Sequence, residues 1–249
     1  SRQSTQVRRQ HESGSSMNFK FEPYARGGLQ IWKDPEEGRK YVCASDTAGG
    51  LARGDFAVAV VIEGETCEMV ARWKERDDPH VWGPKCAWLS WYYNEALLAF
   101  ETYPSAHGYT ACMEAINKGY KKIYKRQRQD TISKQVSEVL GWHTNSTTKP
   151  LLIDRIKRAF DDNCVIYDEE LLYELRDQRW NGKGEMESRG HDDMVIAYGI
   201  ALAVRDQSWT RGLLRPEPAM PKTESERYWA RYDQRQSAPR PKRRLFNGN

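Results

Sequence analysis

The stretch of residues 192–204 constrains the fold more than any other part of this chain. Two adjacent aspartates, Asp192 and Asp193, precede a run from Met194 to Val204 in which every residue is apolar and small residues recur. A helix that is apolar on nearly every side has to be buried, and its small residues allow close packing against a sheet. N-capping accounts for one aspartate at this position. N-capping does not account for the second aspartate. A divalent metal is the alternative explanation, provided that other segments of the chain supply further carboxylates.

Before this helix, short apolar runs alternate with amphipathic stretches. Residues 41–46, 56–62 and 67–73 are β-prone runs joined by tight turns, which predicts an antiparallel meander, and a fourth run, 97–100, ends at Glu101. Helices are predicted over residues 84–93, 105–118, 149–160, from 168 onward and 192–205, with brief strands at 121–125 and 165–167 and a hairpin within 179–187. The order predicts an α/β fold in which a mixed β-sheet, an antiparallel meander followed by parallel strands, is flanked by helices.

The composition changes towards both ends of the chain. Residues 1–35 are rich in Ser, Gln, Arg and Gly and are predicted to form a flexible N-terminal segment or linker, followed by one folded domain over residues 36–208. Beyond it the periodicity is lost and Pro and Arg accumulate. Residues 209–249 are therefore predicted to form a basic, disordered C-terminal tail.

The totals exclude several classes of protein. Five Cys occur without a CxxC pair, so neither a zinc site nor a disulfide framework is expected, and the thiols are interpreted as reduced in a cytosolic compartment. The chain starts with polar and basic residues, so no signal peptide is expected, and no apolar run approaches the length of a membrane span. Nine Trp and 11% aromatic residues indicate a real core under a surface with a modest net charge of +4.

Carboxylates stand where the predicted elements end or begin. Asp46 ends the first strand, Glu101 ends the fourth, and Asp192 and Asp193 open the last helix. If the two strands are neighbours, the four groups meet at one edge of the sheet, where two like charges about 4 Å apart repel by roughly 4 kcal/mol at an effective dielectric near 20. Hard divalent cations remove that cost, and ligation by oxygen alone favours Mg²⁺ or Mn²⁺ over zinc. Two such ions can activate a water and stabilise the leaving oxygen of a phosphodiester.

Each acidic residue also has a simpler interpretation. Asp46, followed by Thr-Ala-Gly-Gly, is equally well explained as a turn residue, and Glu101 as a solvated strand end. Asp55 is interpreted as a turn or strand-start residue rather than a ligand. His191 is expected to support the site or to flank the helix cap, not to bind a metal directly.

Three segments resemble the motifs of one family, the nuclease domain of the large terminase subunits of tailed bacteriophages. Its first motif is similar to residues 41–50 with 54–58, its second to 98–103 with His107-Gly108, and its third to 190–197. Gly141-Trp142 and residues 148–153 also match, and the resemblance covers about residues 38–207. Residues 103–107 depart from the family pattern, in which an Asn-containing turn precedes the glycine.

The resemblance implies an RNase H-like fold and a metal-dependent endonuclease that cleaves concatemeric double-stranded viral DNA during genome packaging. It implies that Asp46, Glu101, Asp192 and Asp193 are catalytic ligands of two Mg²⁺ or Mn²⁺ ions, and it leaves open which aspartate of the pair is the primary ligand. The implied partners are DNA, the terminase ATPase domain, the small terminase subunit and the portal protein, in the host cytoplasm during phage assembly. No GxxxxGK[ST] loop occurs, so we expect an excised domain or one component of a split enzyme.

Basic residues suggest how DNA is held. A cluster around two tyrosines is interpreted as a phosphate-binding rim or, equally, as a solvated basic edge strand; it consists of Lys121, Lys122, Lys125, Arg126 and Arg128. Lys149 opens a helix, where a cation is unfavourable, so a phosphate contact or chance explains it. The basic residues 240–244 of the tail are interpreted as a DNA or partner contact or as a solubilising end. No base-reading module is recognisable, so little sequence specificity is expected.

Two further functions stay open at this stage. One is another RNase H-like nuclease, such as a junction resolvase or a transposase. The other is a non-catalytic DNA-binding or assembly module of the packaging machinery, in which the carboxylates are structural. The mutual repulsion of the clustered carboxylates counts against the second, because such groups seldom converge without a cation.

Overall fold

A mixed β-sheet forms the centre of the chain in the computed structural model, which describes residues 4–9, 19–23, 27–50, 55–129, 136–182 and 186–209. The strands are β1 (Ser4–Arg9), β2 (Phe19–Pro23), β3 (Leu29–Ile31), β4 (Tyr41–Asp46), β5 (Ala57–Glu63), β6 (Met69–Glu75), β7 (Leu97–Tyr103), β8 (Lys125–Gln129), β9 (Val136–Leu140), β10 (Trp142–His143), β11 (Gln178–Trp180) and β12 (Met186–Ser188). Eight of them form the sheet in the order β10-β7-β4-β5-β6-β3-β1-β2, whereas β8 pairs with β9 and β11 with β12.

Helices cover both faces of this sheet. They are α1 (Pro79–Tyr92), α2 (Ala106–Asn117), α3 (Thr148–Asp161), α4 (Glu169–Arg176) and α5 (Asp193–Trp209). On one face α1 and α2 bury Trp82 and Cys112 against the sheet, and on the other α3, α4 and α5 form a second core that contains Leu152, Leu171 and Tyr198. The predicted α/β class with a flanked mixed sheet is therefore confirmed.

The centre of the sheet explains why its strands are so apolar. Strands β4, β5 and β6 form the predicted antiparallel meander, and β7 adds to β4 in parallel. All seven residues of β5 are buried. A strand that is covered on both faces has no solvent side, so it shows a continuous apolar run in place of alternation. The predicted burial of the last helix is confirmed as well, since the residues of α5 from Met194 to Ala201 are buried.

Several predicted boundaries were wrong for local reasons. Helix α1 begins at Pro79, five residues earlier than expected, because the Asp78 side chain accepts hydrogen bonds from the backbone N–H groups of His80 (2.8 Å) and Val81 (3.3 Å) and because Pro79 suits the first turn. The strand expected at 121–125 is only an isolated bridge at Ile123, and the regular strand is β8. Residues 165–167 carry no assigned strand, whereas the hairpin within 179–187 is present as β11 and β12.

The N-terminal boundary also differs from the expectation. Strand β3 lies within the predicted flexible segment 1–35, yet it pairs with β6 and buries Leu29 opposite Trp73. Three residues are too few to show a period, so the sequence carries no strand signal there. Residues 210–249, which hold nearly all of the predicted tail, and residues 51–54 lie outside the described residues. Among the described residues, no helix combines the length and apolarity needed to cross a bilayer.

Candidate metal centre

Parallel pairing of β4 with β7 brings Asp46 and Glu101 together. Ser45 is the register partner of Phe100, and the two carboxylates follow one residue further along each strand. Burial raises the pKa of Asp46 well above its ordinary value, and the charge of the neighbouring Glu101 carboxylate raises it further. Burial also raises the pKa of Glu101. The condition set by the sequence analysis, that these strands be neighbours, is met.

Two glycines allow neighbouring segments to approach the backbone around Glu101 closely. A Cβ atom on Gly108 would lie 1.6 Å from the backbone oxygen of Glu101, so α2 rests directly on β7. A Cβ atom on Gly141 would lie 2.2 Å from Cγ2 of Thr102 and 2.6 Å from the oxygen of Phe100, and Gly141 has a left-handed φ of +73°. Since only glycine fits at both places, the strand that carries Glu101 has little freedom to move.

The two aspartates at the start of α5 lie among different neighbouring residues. Asp192 lines a cleft of about 410 Å³ together with Asp46, Glu101, Thr144 and Lys149. The Nζ atom of Lys149 donates a hydrogen bond of 2.5 Å to Oδ2 of Asp192. This ion pair explains a cation at the beginning of α3 without a bound phosphate. The cleft therefore collects three of the four predicted carboxylates.

Asp193 belongs to a second group, with Asp55 and His191. One ligand atom from each of these residues can be chosen so that all three lie within 4.8 Å of one another. The imidazole Nδ1 of His191 is 3.2 Å from Oδ1 of Asp55 and 3.9 Å from Oδ2 of Asp193. Burial raises the pKa of Asp193 to about 6, and the charge on Asp55 raises it as well. Sequence reasoning did not select Asp55, because a Gly-Asp pair before a strand is also a common turn.

The donor set fits a hard divalent cation. Oδ2 of Asp193 is buried and has no hydrogen-bond partner among the described residues, which is costly for a carboxylate unless a cation compensates it. The charges of Asp192 and Asp193 both act on Asp46, which itself lines the cleft. Carboxylate oxygens are the ligands that Mg²⁺ and Mn²⁺ prefer.

Glu174 of α4 caps the helix that carries the aspartates. Its Oε2 atom accepts hydrogen bonds from the backbone N–H groups of Met194 (3.0 Å) and Val195 (3.3 Å). Burial raises its pKa to about 7, against the opposing influence of Lys74, whose Nζ lies 3.8 Å from Oε1. Because Glu174 takes these two donors, the carboxylates of Asp192 and Asp193 are not needed for them. No sequence signal marks a cap formed between two helices.

The predicted basic rim divides into two parts. Strand β8 carries Arg126 and Arg128 beside β10, since Lys125 bridges to Gly141 and both arginines act electrostatically on His143. Lys121 and Lys122 instead lie alongside the beginning of β7, because the Lys122 oxygen accepts from Leu98 N at 2.9 Å. They are therefore about three residues, or roughly 10 Å, from the level of Glu101.

Carboxylates stand on the parallel pair β4–β7 of a mixed sheet, and a buried helix adds further aspartates, an arrangement consistent with the predicted RNase H-like fold. Neither a family model nor a curated protein matches the sequence. Solved structures do match. The large terminase nuclease from thermophilic phage G20c superposes with a TM-score of 0.53 and 18% identity over 72% of this chain and 90% of that one.

Two further structures give the same result. The G20c nuclease with bound magnesium has a TM-score of 0.55 at 18% identity, over 72% of this chain and 89% of that chain. The large terminase nuclease domain of Thermus phage P74-26 has a TM-score of 0.52 at 19% identity, over 73% and 87%. The chain therefore has the fold of large terminase nuclease domains, and the resemblance seen in the motifs is confirmed at the level of the fold.

Proposed function

We propose that this chain is a divalent-metal-dependent endonuclease that cleaves double-stranded viral DNA during genome packaging, as the nuclease domain of a large terminase subunit. The observation that carries the proposal is the convergence of Asp46, Glu101 and Asp192 on one cleft, with Asp193 close behind. The terminase nucleases that share its fold support the same reading, and they include forms with bound magnesium, cobalt and zinc.

Asp46, Glu101, Asp192 and Asp193 are the proposed catalytic ligands, and Asp55 is a further candidate beside Asp193. Mg²⁺ or Mn²⁺, most simply as a pair, would supply an activated water and stabilise the leaving oxygen when bound. Glu101 is held by the close approach of α2 and β10 to its strand, and Glu174 holds the first turn of α5. Preorganised ligands of this kind keep the reacting groups in place at little entropic cost.

Cationic side chains around the cleft are the proposed DNA contacts. Lys149 lies in its wall, and Lys125, Arg126 and Arg128 lie on the hairpin beside it. Contacts from such groups to phosphates fix the position of DNA without reading its sequence. The choice of cutting site would then come from partners, namely the terminase ATPase domain, the small subunit and the portal protein, in the host cytoplasm. Lys121 and Lys122, which lie beside the beginning of β7, would contact a more distant part of the duplex.

The test is cleavage of supercoiled and linear plasmid in EDTA, Mg²⁺ or Mn²⁺ by the wild type and by Asp46→Ala. We expect the wild type to cut only when the metal is present. In the variant the rate of cutting should fall by at least about a hundredfold, because the loss of one ligand removes the charge stabilisation that the bound metal would supply. Asp154→Ala is the matched control, since Asp154 is exposed on α3 and, within the part of the chain that the structure describes, pairs only with Arg158. Metal-independent cutting, or equal cutting by the Asp46 variant, would refute the proposal.

One observation favours the alternative of a non-catalytic DNA-binding module. The Lys149–Asp192 ion pair already supplies a cation to the cleft without any metal. On that alternative, Mg²⁺ would not raise the melting temperature and no cutting would occur. Metal-dependent stabilisation that is lost in Asp46→Ala would argue for the nuclease. Four-way junctions and RNA–DNA hybrids in the same assay test the resolvase or transposase alternative, which predicts that they are cut in preference to plain duplex.

A further inference from the structure

An aromatic pair, exposed Tyr103 and half-buried His143, stands where β7 and β10 leave the sheet. Tyr103 is 48% exposed, and its ring centroid lies 3.9 Å from that of His143 at an interplanar angle of 58°. The two residues are register partners on neighbouring parallel strands. A large ring that is half exposed to solvent gains less free energy from burial than a ring in the core. Packing alone therefore does not explain why an aromatic side chain stands at Tyr103.

The pair lies at the rim of the acidic cleft. Tyr103 follows Glu101 by two residues on β7, so the alternation of a strand places both side chains on the same face, roughly 7 Å apart along the chain. Their neighbours Pro104 and Thr144 line the cleft itself. That separation corresponds to about two steps of 3.4 Å along a DNA strand.

Two arginines place positive charge near His143. Arg126 and Arg128 both act on His143, and together with burial, which is the larger influence, they lower its pKa. The lowered pKa favours the neutral imidazole, whose face is suited to stacking, while the nearby guanidinium groups can attract phosphates. Aromatic faces combined with flanking cations are the features that bind unpaired nucleotides without sequence preference.

We propose that Tyr103 and His143 form a stacking platform for an unpaired nucleobase of the DNA strand whose phosphate lies in the acidic cleft. This inference rests on the proposed function, and it narrows the substrate to DNA that exposes a base near the cut. In an intact duplex the base faces are covered by their neighbours, so only a mismatched, frayed or single-stranded base can reach the platform. The protein would then prefer DNA that is locally opened.

The experiment compares binding of two short DNA duplexes in Ca²⁺, one fully paired and one with a single unpaired 2-aminopurine. We expect the wild-type full chain to prefer the second duplex and to change the 2-aminopurine emission. Tyr103→Leu should weaken binding to that duplex by roughly 5- to 150-fold, the range expected when one base stack is removed, and leave the paired duplex within about twofold. Tyr103→Phe should keep the preference. Tyr109→Leu is the matched control, because Tyr109 is 50% exposed on α2, which covers the opposite face of the sheet.

Equal binding of both duplexes by the wild type, or an unchanged preference in Tyr103→Leu, would overturn the platform. Plasmid cleavage separates this result from a failure of the nuclease proposal. If the wild type cuts in Mg²⁺ but shows no preference, the platform alone is wrong. If it cuts nothing while the preference depends on Tyr103, the platform stands and the nuclease proposal falls.

Discussion

At the scale of single residues, the candidate site brings together carboxyl groups whose burial and mutual repulsion cost folding free energy. Asp46 is held beside Glu101 and within reach of the charges of Asp192 and Asp193, and burial has already raised its pKa above the ordinary value of 3.8. In the unfolded chain the same carboxyl ionises freely in water. Folding without a cation therefore costs free energy at neutral pH, whether Asp46 is charged or keeps its proton.

We expect Asp46→Asn to stabilise the metal-free protein at neutral pH. The amide keeps the shape and the hydrogen-bonding oxygen of the side chain but cannot ionise, so the repulsion disappears. A rise in melting temperature of about 2–4 °C in EDTA corresponds to roughly 1 kcal/mol for a chain of this size. The measurement is thermal unfolding in EDTA and in Mg²⁺, where the wild type should gain stability and the variant should not. Asp154→Asn serves as the control, and a lower melting temperature for Asp46→Asn in EDTA would contradict the prediction.

At the scale of elements, the site depends on how helices and strands end. Asp46 and Glu101 are presented by adjacent strands, and the aspartate pair by the first turn of α5. The donors of that turn are bound by Glu174 from α4, a helix that contacts α5 and is itself capped by Asp168. The proposed metal ligands on α5 are therefore positioned by an interaction between two helices, which local sequence does not encode.

Substitutions of Glu174 should distinguish the stabilising effect of its capping hydrogen bonds from the effect of its charge. Glu174→Ala leaves two backbone donors without an acceptor, and we expect a loss of about 1–3 kcal/mol in the free energy of unfolding, whereas Glu174→Gln should lose less because it retains an amide oxygen. Urea unfolding with all three proteins measures both effects.

The Glu174 carboxyl group should also make the stability of the folded protein depend on pH. Its folded-state pKa of about 7 is above the ordinary value of 4.5, so its contribution to stability is largest below pH 4.5 and is lost as pH rises towards 7. The stability difference between Glu174→Gln and the wild type should therefore shift in favour of the variant between about pH 4.5 and 7. A difference that does not change with pH would show that Glu174 does not titrate in this range.

At the scale of the whole molecule, charge is distributed unevenly. The net charge is only +4, yet carboxylates gather in the cleft while Arg126, Arg128 and Lys149 stand around it. Acidic groups repel DNA until a cation neutralises them, so the proposed DNA binding would depend on the cationic rim. Affinity that arises from phosphate contacts is salt-dependent, because each contact releases counterions from the DNA.

Removing both rim arginines should change the salt dependence of DNA binding. In the double variant Arg126→Gln/Arg128→Gln, the slope of log affinity against log salt should fall in magnitude by about 1.8, that is about 0.9 for each phosphate that an arginine no longer neutralises. Lys157→Gln/Arg158→Gln removes the same charge from an exposed part of α3 and should leave the slope unchanged. Fluorescence anisotropy at several salt concentrations measures the slopes, and equal slopes for both double variants would show that only net charge matters.

The sequence by itself determined the central meander, the buried last helix and the carboxylates that the proposed site is built on. Apolar runs predicted the meander and the buried α5, because burial on both faces removes polar residues wherever they fall in the chain. The carboxylates were recognisable, because their position at element ends is local information. The tertiary structure decided the rest. It separated Asp192 from Asp193, brought Asp55 beside His191, and placed the Glu174 cap and the Tyr103–His143 pair, because each of these contacts joins segments whose approach depends on the packing of the whole sheet and its helices.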